Sequence, residues 1–548
     1  MWPRPDAEFR AGGLIERHDL AAHLGPFADR AAGPRHAQGP GLARGVGHGP
    51  VAAVAVEAGH LRSEGSPAPE GAGDQDGVVR VVAVHVSQDC GDRARIEIMR
   101  HLHSLGRPCV TEPRHPHHKL LRTTPEVSMA AGWARRRALT GAAALLAATL
   151  LVSGCAADGP GDVDLPDQVA QELPADVVTQ LDEAVRSAMA ASASPGAIAG
   201  VWAPWSGRWV SAIGTDASGA ALDVEMTFRA ADVTRMMTCD VLYALVDEGV
   251  VDLDDSVVEY VQGYPSLQAV TLVDLCNGTG GIGAYEPVIG DSWITNPNRI
   301  WHPLEIASFG IGQPRSAVGS EYRESDSGYI LLGLALERAT NRSAADLYDR
   351  YIFRPLGLEN TVLPGNRAAA PGAAPLPGYR IVANPDGSLA CDAPQDVSQL
   401  SASVGFTDSG VVSNVTDLGR YVQATAVGAL APESAEGRWS APLPVYPGAP
   451  AWFTATGGAL QAGSLIGQYG GLPGYLTAAF ADPQTGMTVV VVLNNSTASE
   501  QLVGDLAFEL AAIGSRSPAA GDAVAPEFGL PWTAQQYHDA INQTNICR

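Results

Sequence analysis

From Cys155 to its end the chain contains no lysine; the one lysine among its 548 residues is Lys119. Only two of its 13 histidines, His302 and His538, lie in that part. Lysine amines and neutral imidazoles are the commonest side-chain bases, so acid–base chemistry there must rest on other groups. Aromatic residues make up 6% of the chain. They form no run interleaved with basic residues, which excludes a stacking platform for nucleobases. With 35 Lys+Arg against 59 Asp+Glu, the formal charge is −24. That balance argues against a nucleic-acid partner and against electrostatic docking on anionic lipid. Cysteine and histidine show no zinc-ligand spacing, no motif calls for a cofactor, and no G-x-S-x-G elbow occurs.

What is present changes character near Met129. Residues 1–128 hold 11 of the 13 histidines and show no sustained helical or strand period. The tract His115-Pro116-His117-His118 has no second ligand cluster to pair with. We read 1–128 as translated upstream sequence, with a disordered extension as the alternative, and set it aside. Residues 129–154 read as an export signal. Arg135, Arg136 and Arg137 precede a mostly apolar run, Ala138–Val152, shorter than the roughly 20 residues a bilayer span needs. Val152-Ser153-Gly154-Cys155 resembles a bacterial lipoprotein box, which implies lipidation at Cys155. The other reading is an ordinary secretory signal cut nearby. The expected location is therefore extracytoplasmic, lipid-anchored to the outer face of the cell membrane.

Residues 155–175, rich in Asp, Gly and Pro, read as a tether, 176–514 as one domain, and 515–548 as a C-terminal tail. A helix is predicted over 176–191, then a hairpin of strands Ala197–Trp202 and Trp209–Ile213. Met236, Met237, Val241 and Leu245 mark a helix over 232–248. Further helical segments fall near 270–276, 304–309, 327–340 and 343–353. A strand pair, Tyr475–Ala481 and Met487–Leu493, precedes a helix over 499–513. This order predicts an α+β fold: an antiparallel sheet flanked by N- and C-terminal helices, with a helical subdomain inserted. Four cysteines besides Cys155 allow three pairings. Cys239–Cys276 and Cys391–Cys547 are favoured, the second tying down the tail.

Five phrases in order then resemble the serine β-lactamase and DD-peptidase superfamily, in the branch of class C β-lactamases and D-alanyl-D-alanine carboxypeptidases. They are FRAADVTRMMT (Phe228–Thr238), LVDEGVVDLDDSVVEYV (Leu245–Val261), YRESDSGYILLGLALERAT (Tyr322–Thr340), YIFRPLGLENT (Tyr351–Thr361) and GQYGGLPGY (Gly467–Tyr475). The resemblance implies a serine nucleophile with a lysine base three residues later, a Tyr-x-Asn motif, and a cationic or His residue followed by x-Gly. Asp232 and Arg235 stand at the first pair, Glu324 and Asp326 at the second, Gln468 and Gly470 at the third. Arginine stays protonated and cannot be a general base. An ionised carboxylate at 232 cannot form the family's acyl ester.

Ser, Lys, Tyr and Asn would carry a charge of +1, whereas Asp232, Arg235, Glu324 and Asp326 carry −2. A substrate carboxylate about 4 Å from a like charge costs roughly 4 kcal/mol at an effective dielectric near 20. The acidic cleft suits a cationic ligand or Ca²⁺ instead. The alternative is internal neutralisation, Asp232 pairing with Arg235 and a proton shared between Glu324 and Asp326. Function reads as a catalytically inactive pseudoenzyme, an exported, lipid-anchored binding module of the envelope. The competing reading is a hydrolase of cell-wall-type peptides or esters, with acidic or metal-assisted chemistry at Asp232, Glu324 and Asp326.

Overall fold

The computed structural model describes residues 163–547, apart from 217, 367–369 and 528. The extension, the export signal and Cys155 lie outside the described residues. Among the described residues no helix is long and apolar enough to cross a membrane.

In chain order, helix α1 (Ala175–Ser192) leads into strands β1 (Gly196–Ala203) and β2 (Gly207–Gly214), and α2 (Val233–Asp247) follows. The helical region contains α3 (Glu286–Thr295), α4 (Asp326–Thr340) and α5 (Val415–Ala426). Strands β3 (Leu443–Pro444), β4 (Phe453–Thr456), β5 (Ala459–Ala462), β6 (Leu465–Leu472), β7 (Tyr475–Ala481) and β8 (Thr488–Leu493) precede α6 (Glu500–Gly514) and α7 (Ala534–Gln543). The eight strands make one antiparallel sheet in the order β2-β1-β8-β7-β6-β5-β4-β3. The first strands after α1 thus pair with the last strand before α6, which closes the N- and C-terminal pieces into one sheet around the insertion. This is the expected α+β architecture.

The sheet is buried on both faces, and the period of two divides its side chains cleanly. Val489 and Val491 face α1 and α6, where Leu181, Val185, Leu506 and Phe508 are buried. Val490 and Val492 face α2 and α5, against Met236, Leu418 and Val422. Each such side chain contributes about 1.5–3 kcal/mol relative to exposure. A run of four valines therefore belongs to a central strand rather than to a half-exposed edge.

The predicted helices and strands fall within a few residues of the observed ones. Both favoured disulfides are present, with Cα atoms 5.5 Å apart for Cys239–Cys276 and 5.9 Å for Cys391–Cys547. Two expectations need correction. The last part of the supposed tether lies on the domain: Gln168 Nε2 donates to Ala203 O at 3.2 Å and Gly207 O at 3.0 Å, and Leu173 is buried. The C-terminal tail holds α7, packed on α1 and α6 through Tyr537 and Ile541, with Trp532 Nε1 donating to Phe508 O at 2.9 Å. Its two buried apolar residues, at i and i+4, are too few to register as a period in the sequence.

Candidate functional site

The site forms where α2 starts beneath β6. Phe228 and Arg229 pair with Ser413 and Val412, and Thr477 Oγ1 of β7 donates to Arg229 O at 2.9 Å, so the chain entering α2 is held from both sides. Ala231 then adopts φ 49°, a left-handed conformation that costs a non-glycine residue on the order of 1–3 kcal/mol. Asp232 follows at the N-terminus of α2. Its side chain makes no capping hydrogen bond; it turns to Arg235 instead.

Arg235 is the hub of the site. Its Nη1 lies 2.9 Å from Asp232 Oδ2 and 2.8 Å from Glu324 Oε1, its Nε 2.8 Å from Asp408 Oδ1, and its Nη2 3.5 Å from Asp326 Oδ1. The positive charge also sits 5.3 Å from the ring centroid of Tyr329. Ser325 explains how the two second-motif acids diverge. Its Oγ caps α4 by accepting from Gly328 N at 3.1 Å, which leaves Glu324 outside the helix and Asp326 in its first turn. Asp326 Oδ2 accepts from the Glu286 N–H at 3.0 Å.

The third-motif positions behave differently. Gln468 and Gly470 share the face of β6 toward α2. A Cβ at Gly470 would fall 2.3 Å from Asp232 Cγ, so only glycine lets the carboxylate lie against the strand. Gln468 is buried, accepts from Tyr469 N at 3.1 Å and donates to Gly458 O at 3.4 Å. It is absent from the cavity wall. Of the six candidate positions, Asp232, Arg235, Glu324 and Asp326 line one chamber of about 250 Å³, Gly470 backs it, and Gln468 stands outside.

Several lining residues carried no motif in the sequence. Asp408, Glu286, Glu500, Tyr285 and Ser409 all reach this chamber. Tyr285 OH donates to Val404 O at 3.1 Å, lies 3.3 Å from Asp408 Oδ2, and is hydrogen-bonded to Ser409. A phenol therefore sits at the site although the motif tyrosine is gone. Trp301 is buried, and His302 is an exposed cap of the helix Pro303–Ile311.

Six carboxyl groups against one guanidinium would be untenable if all were ionised, and protons relieve the imbalance. Burial holds Asp232 well above the usual carboxylate range even though Arg235 pulls the other way. Burial acts on Glu324 in the same sense, but there Arg235 and a hydrogen bond with Asp232 prevail and hold it below its ordinary value. The raised Asp232 and the lowered Glu324 are joined by a hydrogen bond. The proton expected between Glu324 and Asp326 is shared between Glu324 and Asp232, because Ser325 turns the two motif acids apart. Burial and Asp408 push Asp326 up to about 7, and burial and Glu324 push Glu500 up to about 8. Glu286 is raised as well, by burial and Asp408.

One carboxylate oxygen each from Asp232, Glu324 and Glu500 lie within 4.8 Å of one another. That spacing suits a small cation. Two of the three already accept from Arg235, which disfavours a metal wanting six to eight oxygens, as Ca²⁺ does.

The fold class defined here, an antiparallel sheet with an inserted helical region and a site at the start of α2, matches known proteins. The family profile described as Beta-lactamase matches residues 181–512, more than half of the chain. The chain belongs to the β-lactamase family, within the serine β-lactamase and DD-peptidase superfamily. Over 154 residues it is 29% identical to the D-alanyl-D-alanine-carboxypeptidase/endopeptidase AmpH of Escherichia coli (strain K12). That match spans 25% of this chain and 37% of the length of AmpH. Among solved structures, a D-stereospecific amidohydrolase from Streptomyces sp. superposes with TM-score 0.51 at 23% identity, covering 59% of this chain and 98% of that one. The D-amino acid amidase of Ochrobactrum anthropi SV3 complexed with D-phenylalanine gives TM-score 0.53 at 19% identity, covering 62% and 99%. These two likenesses concern the fold alone.

Proposed function

We propose that this protein is an exported, lipid-anchored member of its family that no longer performs acyl-enzyme chemistry and acts as an envelope binding module for a cationic group. One observation carries the reading: at the positions of the family's serine and lysine, Asp232 and Arg235 are joined in a buried ion pair that Glu324, Asp326 and Asp408 extend. A buried carboxyl held against a guanidinium is a poor nucleophile, and a guanidinium held by four acids takes up no proton. The surplus of acid disfavours the carboxylate of a penicillin or a D-alanyl peptide and favours an ammonium or guanidinium.

Intact-mass spectrometry of the purified protein incubated with a penicillin and with a thioester of D-alanine tests this directly. No mass increase is expected; a stable acyl adduct would overturn the inactive reading. Membrane attachment is tested by Cys155→Ser, which should move the protein from the membrane fraction to the soluble one. Unchanged attachment would sink the lipid anchor.

A second reading is favoured by the Asp232–Glu324 hydrogen bond, since two carboxyls with displaced pKa values can share general acid and base roles on water. Glu324→Gln would then abolish turnover of a peptide or ester while the protein stays folded. The binding reading instead expects no turnover to lose.

A further inference from the structure

The acidic chamber adjoins a larger cavity of about 590 Å³, the two sharing Glu286, Pro287, Gly471, Leu472 and Glu500 as walls. That volume lies within the range of small-molecule sites. Arg380 lines that cavity and not the chamber. The backbone there is fixed: Ile381 N donates to Thr497 Oγ1 at 2.6 Å, and Arg380 pairs with Gln395 in a short two-stranded ladder.

The Arg380 side chain has little to hold. Its Nε is buried without a hydrogen-bond partner. Its Nη1 lies 4.0 Å from Asp291 Oδ1, on a side chain that is 99% exposed, and such a pair is worth little. A guanidinium offers five donors in a planar fork suited to a carboxylate. Glu500, which lines both spaces, has no ion pair or hydrogen-bond partner among the described residues, and it stands within 4.8 Å of Asp232 and Glu324 oxygens. Val288 and Val382 also line the cavity, at 51% and 39% exposure, beside Ile294 and Leu472. An amine alone would leave Arg380 unanswered, and a carboxylate alone would leave the acids unanswered.

We propose that the cleft binds a zwitterion, its ammonium seated among Glu500, Glu324 and Asp232, its carboxylate at Arg380, and an apolar stem along Val288 and Val382. This rests on the binding reading above and names the ligand class of that cleft. The ligand is held by charge at both ends, which sets its length as well as its polarity.

Isothermal titration of the purified protein with a ladder of ω-amino acids, from β-alanine to 8-aminooctanoate, tests the proposal. The alkylamine and the fatty acid of each length serve as single-charge controls. One length should bind at least about tenfold more tightly than its amine or acid counterpart, since each charge-assisted contact adds to the same complex. Arg380→Ala should bring that zwitterion down to the level of the amine and leave amine binding unchanged. Arg380→Lys should recover part of the difference. Glu500→Gln should weaken amine and zwitterion alike. Equal affinity for amine and zwitterion, no binding anywhere on the ladder, or indifference to Arg380→Ala in a variant with an unchanged melting curve would each overturn it. Acylation by a penicillin alongside retained zwitterion binding would overturn the inactive reading and leave this one standing.

Discussion

Two buried arginines contact helix α2, and their surroundings differ in one respect. Arg438 reaches Asp240 on α2, with Nε 3.0 Å from Gly457 O and Nη2 2.7 Å from Gly457 O and 3.2 Å from Met236 O. It stacks near Tyr243 and Trp439, and the second oxygen of Asp240 accepts from Tyr421 OH at 2.6 Å. One cation meets one anion, and carbonyls take the remaining donors. Arg235, on the same helix, meets four carboxylates and opens on a chamber walled by two more. The first cluster is balanced and closed, as a structural ion pair must be. The second carries excess negative charge that only protons or a bound cation can offset, and that imbalance marks it as a site.

Arg235→Met should break the comparison most severely. It strands four acids, and a loss of about 3–5 kcal/mol is expected in denaturant unfolding. The loss should be larger at pH 9 than at pH 5, where protons substitute for the guanidinium. A pH-independent loss would mean that the cluster is as balanced as that of Arg438.

The pH dependence of the unaltered protein comes next. Asp326 titrates near 7 in the fold against an ordinary 3.8, and Glu500 near 8 against 4.5. Between those values the folded protein holds a proton that the unfolded chain has released, so the contribution of these two groups to stability is full below pH 4 and falls as pH rises towards 7 or 8. Each such carboxyl should contribute a slope of about 1.4 kcal/mol per pH unit. Asp326→Asn should flatten the part below pH 7, and a rise in stability over that range would contradict the assignment.

Replacing the balanced pair together, Asp240→Leu with Arg438→Met, should cost only about 1–3 kcal/mol, mostly from the orphaned Tyr421 hydroxyl and Gly457 carbonyl. Its loss should not vary with pH. Glu324→Gln should have the smallest effect, below about 1 kcal/mol, because that side chain is 53% exposed and solvent screens it.

Much of this was legible in the chain. Apolar spacing located α1, α2, α4 and α6, and the turn Asp482-Pro483-Gln484-Thr485-Gly486 separated β7 from β8, because these signals are local. Helices α3, α5 and α7 went unread. The last two are held by distant partners, α5 by the back of the sheet and α7 by α1, α6 and the Cys391–Cys547 bond. At the site, the motif order brought out Asp232, Arg235, Glu324, Asp326, Gln468 and Gly470, and helical spacing offered the Asp232–Arg235 pair as one alternative. Asp408, Glu286, Glu500, Tyr285 and Arg380 left no trace, since they lie on separate elements with no fixed separation in sequence.

The sequence by itself determined the family, the missing serine and lysine, the total lack of lysine from Cys155 onward, and the acidity of the cleft. Those are facts of residue identity and short-range order. Only the tertiary structure decided which acids share a proton, which of them Arg235 neutralises, and that a weakly paired arginine lines the cavity beside them. Coulomb interaction and desolvation depend on distances and burial through space, and residues far apart in the chain acquire both only when the chain has folded.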